Sequence, residues 1–269
     1  MRTVASILVF AFVLVALAGC DDKDKPVAGL VTKAVEYKDG DVVLEGYLAY
    51  DGKQAGRRPG VLVIHEWWGL GEHPKRKAEA LARLGYVAFA VDMYGKGQLT
   101  DDPQQAGAWA GRFRGEGKAA GRTRIRAGLD VLLAQENVDS KRIGAIGFCF
   151  GGTVALELAW CGADVRGIVC FHGQPTTPSA EEAGNVKAAV LVCHGADDGF
   201  VPPEALAEFQ TSMKAAKIDW QLNYYAGAVH SFTNPDADRH GIPGVAYNAR
   251  ADRRSFDNMK SFFADLFGG

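Results

Sequence analysis

Apolar and polar positions change their period several times along this chain, and each change marks an element. Thr32 to Tyr50 alternates apolar and polar residues on either side of Lys38-Asp39-Gly40-Asp41, a turn signal, so an antiparallel hairpin is predicted. Asp51 to Arg58 is polar and reads as a loop. Pro59 then opens the unbroken apolar run Gly60 to Ile64, the pattern of a strand covered on both faces. Helical spacing of Ala78, Leu81, Ala82 and Leu84 predicts a helix from about His73 to Leu84, ended by Gly85, and Tyr86 to Val91 reads as a second buried strand. A polar loop from Asp92 to Gln104 leads into two helices between Gln105 and Ala134, divided near Gly115 to Gly121. Lys141 to Thr153 combines a short buried strand, a glycine-lined reversal and the start of a helix that runs to Trp160. Strands are predicted at Val165 to Phe171, Ala189 to Cys193 and Trp220 to Tyr225. Between them lie a connection at Gly184 to Lys187 and a helix from Pro202-Pro203 to Ala216. Tyr247 to Phe267 closes the chain as a helix with Phe256, Met259, Phe262, Phe263 and Leu266 along one side.

Strands that alternate with helices in this way predict an α/β fold with a mostly parallel, doubly covered sheet and an antiparallel N-terminal edge. No internal repeat or second domain interrupts the alternation. The chain has 269 residues, and its 48% hydrophobic content suffices for one large core. A formal charge of -2 leaves no general basic face, which argues against a nucleic-acid partner. The one long apolar run, Val4 to Leu17, follows Arg2 and is broken only by Ser6. It is shorter than the ~20 residues that span a bilayer and ends in small residues, as a secretory signal does. The expected organisation is a signal peptide over residues 1–19, a charged tether over 20–30 and one catalytic domain over 31–269. Removing the signal takes away only Arg2 among the charged residues, so the mature body stays mildly acidic.

The chemistry centres on Gly147-Phe148-Cys149-Phe150-Gly151. This is the pattern of a nucleophile elbow, a strained strand-to-helix turn, with cysteine in the serine's place. The helix that follows points its positive end at the sulfur, which suits an anionic sulfur. A buried cysteine in a glycine-rich connection is the plainer reading of five residues taken alone. Two further segments change the balance. His194-Gly195-Ala196-Asp197-Asp198 follows one predicted strand and Gly227-Ala228-Val229-His230 follows the next, which gives the order nucleophile, acid, histidine. His230 is the expected base for Cys149. Asp197 and Asp198 compete for the orienting acid. The other cysteines match no metal-binding spacing. Cys170 and Cys193 lie in apolar runs and are expected to pack as small hydrophobes, a disulfide between them being the alternative.

On the segments HEWWG, DMYGKG, GFCFGG, HGADDGFVP and AGAVHSF, the chain from about Tyr37 onward resembles the dienelactone hydrolase family. These are carboxymethylenebutenolidase-like, cysteine-dependent members of the α/β-hydrolase superfamily. The resemblance implies a triad of Cys149, Asp198 and His230 that needs no metal or organic cofactor. It also implies that Glu66 hydrogen-bonds the resting thiol and exchanges a proton with it, and that the backbone amides of Trp67 and Phe150 form an oxyanion hole. Trp68, Tyr94, Lys96, Phe148, Ser231 and Asn234 are the expected substrate pocket. Family members that open dienelactone hold its carboxylate with two arginines, and neither stands here, in Asp92-Met93-Tyr94-Gly95-Lys96-Gly97 or after His230-Ser231-Phe232. Lys96 is the remaining candidate, although lysine cannot reproduce a bidentate contact.

The expected activity is hydrolysis of lactones or small carboxylic esters through a thioester acyl-enzyme. Alternatives are a thioesterase or carboxylesterase acting on acyclic substrates, or a non-catalytic redox-sensing or binding lipoprotein. Leu17-Ala18-Gly19-Cys20 resembles a bacterial lipobox, which implies lipidation at Cys20 and a membrane-tethered, periplasm-facing enzyme. Asp21 after the lipidated cysteine favours retention in the inner membrane of enteric bacteria. A monomer acting on a small molecule is expected.

Overall fold

The computed structural model describes residues 29–268, so the proposed signal, Cys20 and the tether residues before Gly29 lie outside the described part. A hairpin of β1 (Leu30–Asp39) and β2 (Val42–Asp51) turns through Gly40-Asp41, with Asp39 paired to Val42. The remaining strands are β3 (Arg58–Ile64), β4 (Val87–Val91), β5 (Val138–Phe148), β6 (Gly167–Phe171), β7 (Ala189–Gly195) and β8 (Trp220–Tyr225). They form one eight-stranded sheet in the order β1-β2-β4-β3-β5-β6-β7-β8. The β1–β2 and β2–β4 pairs are antiparallel, and every pair from β4 to β8 is parallel.

The continuous apolar runs explain why both faces are covered. In β3, Leu62 and Ile64 enter one core while Val61 and Val63 enter the other; in β4, Val87, Phe89 and Val91 oppose Ala88 and Ala90. Successive side chains point to opposite faces of a sheet, so a run with no polar interruption needs helices on each. Helices α1 (Glu72–Arg83) and α7 (Ala249–Phe267) cover one face, with Leu81, Met259 and Phe263 fully buried. The other is covered by α3 (Lys118–Leu133), α4 (Phe150–Trp160) and α6 (Pro203–Ala216). Short helices α2 (Pro103–Gly111) and α5 (Ala180–Ala183) complete the set.

One expectation is corrected: the helix break falls at the 3-10 turn Gly115–Gly117, and Gly121 lies inside α3 rather than in the break. The expected connection at Gly184 to Lys187 is present, and ahead of it lies the short α5, opened by a capping box in which Ser179 and Glu182 satisfy each other's backbone amides. Cys170 and Cys193 are free thiols that belong to the two opposite cores, so the sheet itself separates them and no disulfide joins them. Burial raises both thiols to about 12.

Candidate active site

Five strand ends meet along the carboxyl edge of the parallel sheet, and each is followed by a polar group. Glu66 comes after β3, Cys149 after β5, His172 after β6, Asp198 after β7 and His230 after β8. Loops that leave parallel strands at the same edge converge, so residues far apart in sequence become neighbours there.

The turn after β5 reverses the chain in a single residue. Cys149 has φ 54° and ψ −118°, strained values for a residue with a Cβ. Its N–H donates to the Phe171 carbonyl at 3.0 Å, and its own carbonyl accepts from Gly152 N–H at 3.0 Å. Strand and helix approach so closely that a Cβ on Gly147 would lie 2.0 Å from the Gly151 carbonyl oxygen, and one on Gly151 would lie 2.4 Å from that of Ile64. Glycine is therefore required on both sides of the apex, which leaves the sulfur half-exposed.

Beside it, His230 Nε2 lies 3.0 Å from Cys149 Sγ, and His230 Nδ1 lies 2.9 Å from Asp198 Oδ2. The other Asp198 oxygen accepts from Phe200 N–H at 2.9 Å, so the carboxylate is fixed from two sides. Burial works against a charged imidazole, but the Cys149 sulfur and the Asp198 carboxylate outweigh it and raise the His230 pKa to about 10. Asp197 is exposed and its N–H donates to Ala228 carbonyl at 3.0 Å; of the two competing acids it is Asp198 that faces the imidazole. An imidazole placed between a sulfur and a carboxylate can hold the sulfur's proton and hand it on.

The Phe150 N–H heads α4, where the first amides have no partner within the helix. Neither it nor the Trp67 N–H is taken up by a loop or turn carbonyl among the described residues. The Trp67 turn is braced from below by contacts that the sequence alone does not reveal. Tyr94 Oη donates to the Trp67 carbonyl at 3.0 Å. His65 Nε2 accepts from Met93 N–H at 3.2 Å, which leaves its ring proton on Nδ1, and Nδ1 donates to the Glu66 carbonyl. Burial favours this neutral form by lowering the His65 pKa.

Glu66 does not contact the sulfur, whose hydrogen-bond partner is His230. Its Oε2 accepts from Asn234 Nδ2 at 2.6 Å and lies 3.5 Å from His73 Nδ1, while His73 Nε2 donates to the Thr233 carbonyl at 3.1 Å. Burial pushes the Glu66 carboxyl up, but the His73 ring and the Ser231 side chain outweigh it and hold its pKa at about 2. The hydrogen bond expected between Glu66 and the resting thiol is therefore not formed among the described residues; the carboxylate instead ties the loop after β3 to the loop after β8 through Oε2. His172, fully buried at φ 40°, accepts from or donates to Thr233 Oγ1 through Nε2 at 2.8 Å and packs edge-on against His230 at 5.5 Å. Burial holds it well below the usual imidazole range, so it is a neutral ring behind His230. A polar residue directly after an apolar strand was the available signal for His65 and His172; nothing local marks His73 or Thr233.

Asn234→Leu tests the Glu66 anchor. Losing a hydrogen bond to a buried charge costs about 2 kcal/mol, and denaturant titration at neutral pH should read that loss. The sign follows from the lowered pKa. Stability from the ionised carboxylate is full above the ordinary value of 4.5 and is lost as pH falls through about 2. The deficit of the variant should therefore shrink on acidification. A deficit independent of pH would mean that Asn234 acts through packing alone.

The expected pocket residues separate in the structure. Trp68 stacks on His240 at 3.8 Å and lies 4.8 Å from Trp67, and both indoles are half-buried. Tyr94 is buried against Phe150 at 5.6 Å. Ser231 is buried at φ 57° beside Glu66. Three residues are corrected. Lys96 pairs with Glu36 at 2.8 Å and Glu45 at 3.0 Å on the N-terminal hairpin, because its loop folds back against β2. Phe148 is a core residue stacked on Phe171 at 5.0 Å, because the strand alternation that exposes Cys149 sends its neighbour inward. Asn234 is engaged by Glu66.

Comparison with known proteins agrees with this architecture. The profile of the dienelactone hydrolase family matches residues 44–267. A crystal structure of a dienelactone hydrolase-like promiscuous phosphotriesterase from metagenomic libraries is 42% identical. It covers 88% of this chain and 99% of its own, with a TM-score of 0.85. Protein usf of Aquifex pyrophilus is 31% identical over 74% of this chain and 86% of its own length. A thermophilic esterase from Thermogutta terrifontis, 19% identical over 87% of this chain and 92% of its own with a TM-score of 0.59, shares the fold. With its parallel sheet, antiparallel edge and carboxyl-edge site, the chain belongs to the dienelactone hydrolase family and is a hydrolase acting on ester bonds.

Proposed function

We propose that Cys149 is the nucleophile of a hydrolase of lactones or small carboxylic esters. Its sulfur attacks the carbonyl carbon, and the oxyanion lies between the amides of Trp67 and Phe150. The C–O bond then breaks as His230 gives its proton to the departing alkoxide, leaving a thioester on Cys149. Water, deprotonated by His230, cleaves the thioester and restores the sulfur. Asp198 keeps the imidazole oriented throughout. The observation that carries this reading is the connected set of Cys149 Sγ, His230 and Asp198, at 3.0 and 2.9 Å. With Lys96 engaged elsewhere and no arginine in Asp92–Gly97 or Phe232–Pro235, neither motif supplies a cation for a free carboxylate, which favours uncharged substrates.

A panel of chromogenic esters and lactones tests it. Wild type should turn over under reducing conditions, acid-quenched enzyme should carry the mass of the acyl group on the Cys149 peptide, and Cys149→Ala should do neither. Equal turnover by wild type and Cys149→Ala overturns the proposal.

The reading extends to an exported enzyme tethered through lipid on Cys20, on the strength of Leu17-Ala18-Gly19-Cys20. A palmitate analogue fed to cells should label the wild type and not Cys20→Ala; equal labelling of both removes the tether.

A further inference from the structure

Phe200 is half-exposed, with 50% of its surface open to solvent, and its ring centroid stands 5.0 Å from that of His230. Isolated apolar side chains on a surface are ordinary. This one is held against the imidazole by contacts that leave it little choice. Its N–H donates to Asp198 Oδ1 at 2.9 Å, so the carboxylate that faces His230 also sets the backbone of Phe200. On its far side the ring meets the segment around Gly244, where a Cβ would lie 3.3 Å from Phe200 Cε2. That segment is itself tied to the histidine by a hydrogen bond from His230 N–H to the Gly244 carbonyl at 3.1 Å.

We infer that Phe200 is a specificity-determining residue that selects the alcohol portion of the ester, favouring bulky apolar leaving groups. The inference rests on the proposed thioester pathway. A general acid must come within hydrogen-bond reach of the oxygen it protonates, so the leaving oxygen lies beside His230 Nε2 in the acylation step. The substituent on that oxygen is then carried to whatever packs on the imidazole. His172 packs there but is fully buried and cannot meet a substrate, whereas Phe200 is open. An alkyl or aryl group beside it removes apolar surface from water on both partners, and a hydrophobic contact of this size is worth about tenfold in kcat/KM. The acyl group stays on the sulfur after the alcohol has left. Phe200 should therefore affect acylation by particular alcohols and leave hydrolysis of the shared acyl-enzyme untouched.

The experiment compares wild type, Phe200→Ala and Phe200→Leu on acetate esters whose alcohols grow from methanol through benzyl alcohol to a naphthol. Each ester is measured on all three enzymes, so intrinsic leaving-group reactivity cancels. For Phe200→Ala, kcat/KM should fall about tenfold on the benzyl and naphthyl esters and less than twofold on methyl acetate, with Phe200→Leu recovering most of the loss. Single-turnover deacylation of the acetyl-enzyme should proceed at the wild-type rate. An equal loss on every ester, or slowed deacylation, would mean that Phe200 only positions Asp198 and His230. No loss on any ester would overturn the inference outright. Absence of a Cys149-bound acetyl group in wild type would instead remove the thioester pathway, a different failure.

Discussion

Asp198→Asn is expected to lower kcat on a chromogenic ester by about 10⁴-fold, with little change in KM or thermal stability. The reason lies in how the two carboxylate oxygens are used. Asp198 Oδ1 accepts from Phe200 N–H and Oδ2 faces His230 Nδ1. An asparagine has one accepting oxygen. If that oxygen serves the Phe200 amide, the NH2 group faces His230 Nδ1, which must then accept rather than donate. The ring proton moves to Nε2, the atom 3.0 Å from Cys149 Sγ, and the base is disabled by its tautomer with every heavy atom in place. Removing the negative charge also lowers the His230 pKa from its raised value of about 10, which NMR of the ring can follow. Asp197→Asn, an exposed neighbour, should retain activity within about twofold. A loss of under about tenfold in Asp198→Asn would show that the orienting acid lies elsewhere.

Gly147→Ala is expected to destabilise the fold by at least ~3 kcal/mol or to prevent accumulation of soluble protein. The added methyl would lie 2.0 Å from the oxygen and 2.3 Å from the carbon of the Gly151 carbonyl. Both are backbone atoms in the first turn of α4, so no side-chain rotation relieves the overlap. The strand and the helix must part, and Cys149 moves with them. Gly111→Ala makes the same chemical change at the end of α2, where the new methyl meets nothing within 4 Å. There the reduced freedom of the unfolded chain should leave stability unchanged or raise it by about 0.5 kcal/mol. Denaturant midpoints of the two variants, measured side by side, check both signs. A Gly147→Ala protein as stable as the wild type would mean that the elbow is looser than its geometry indicates.

The parts of the site that were legible in the sequence are those tied to a strand end or to a backbone requirement. Apolar runs located the strands, because a segment buried on both faces tolerates no polar residue, and the residue after each run then fell at one edge of the sheet. Glycines at 147 and 151 announced the turn, since only a missing Cβ lets strand and helix approach so closely. Cys149 and His230 could be named from their order and spacing along the chain, and Asp198 and the loop that holds Glu66 and Trp67 from the family resemblance. Errors arose where local pattern carries no information about partners. Lys96, Phe148 and Asn234 stand next to motif residues, and adjacency in sequence suggested a shared pocket. Strand alternation, a folded-back loop and a buried carboxylate sent them elsewhere.

Covalent order and side-chain size therefore determined the α/β sheet, the elbow and the identity of its three converging groups, because those features depend on burial and sterics that act residue by residue. Tertiary packing alone decided how the groups are wired. It faced Asp198 toward the His230 ring, set Glu66 against Asn234 and His73, and placed the neutral His172 and the open Phe200 against the same imidazole. Those outcomes depend on distances between loops that leave different strands, and such distances exist only once the sheet has brought the strand ends together.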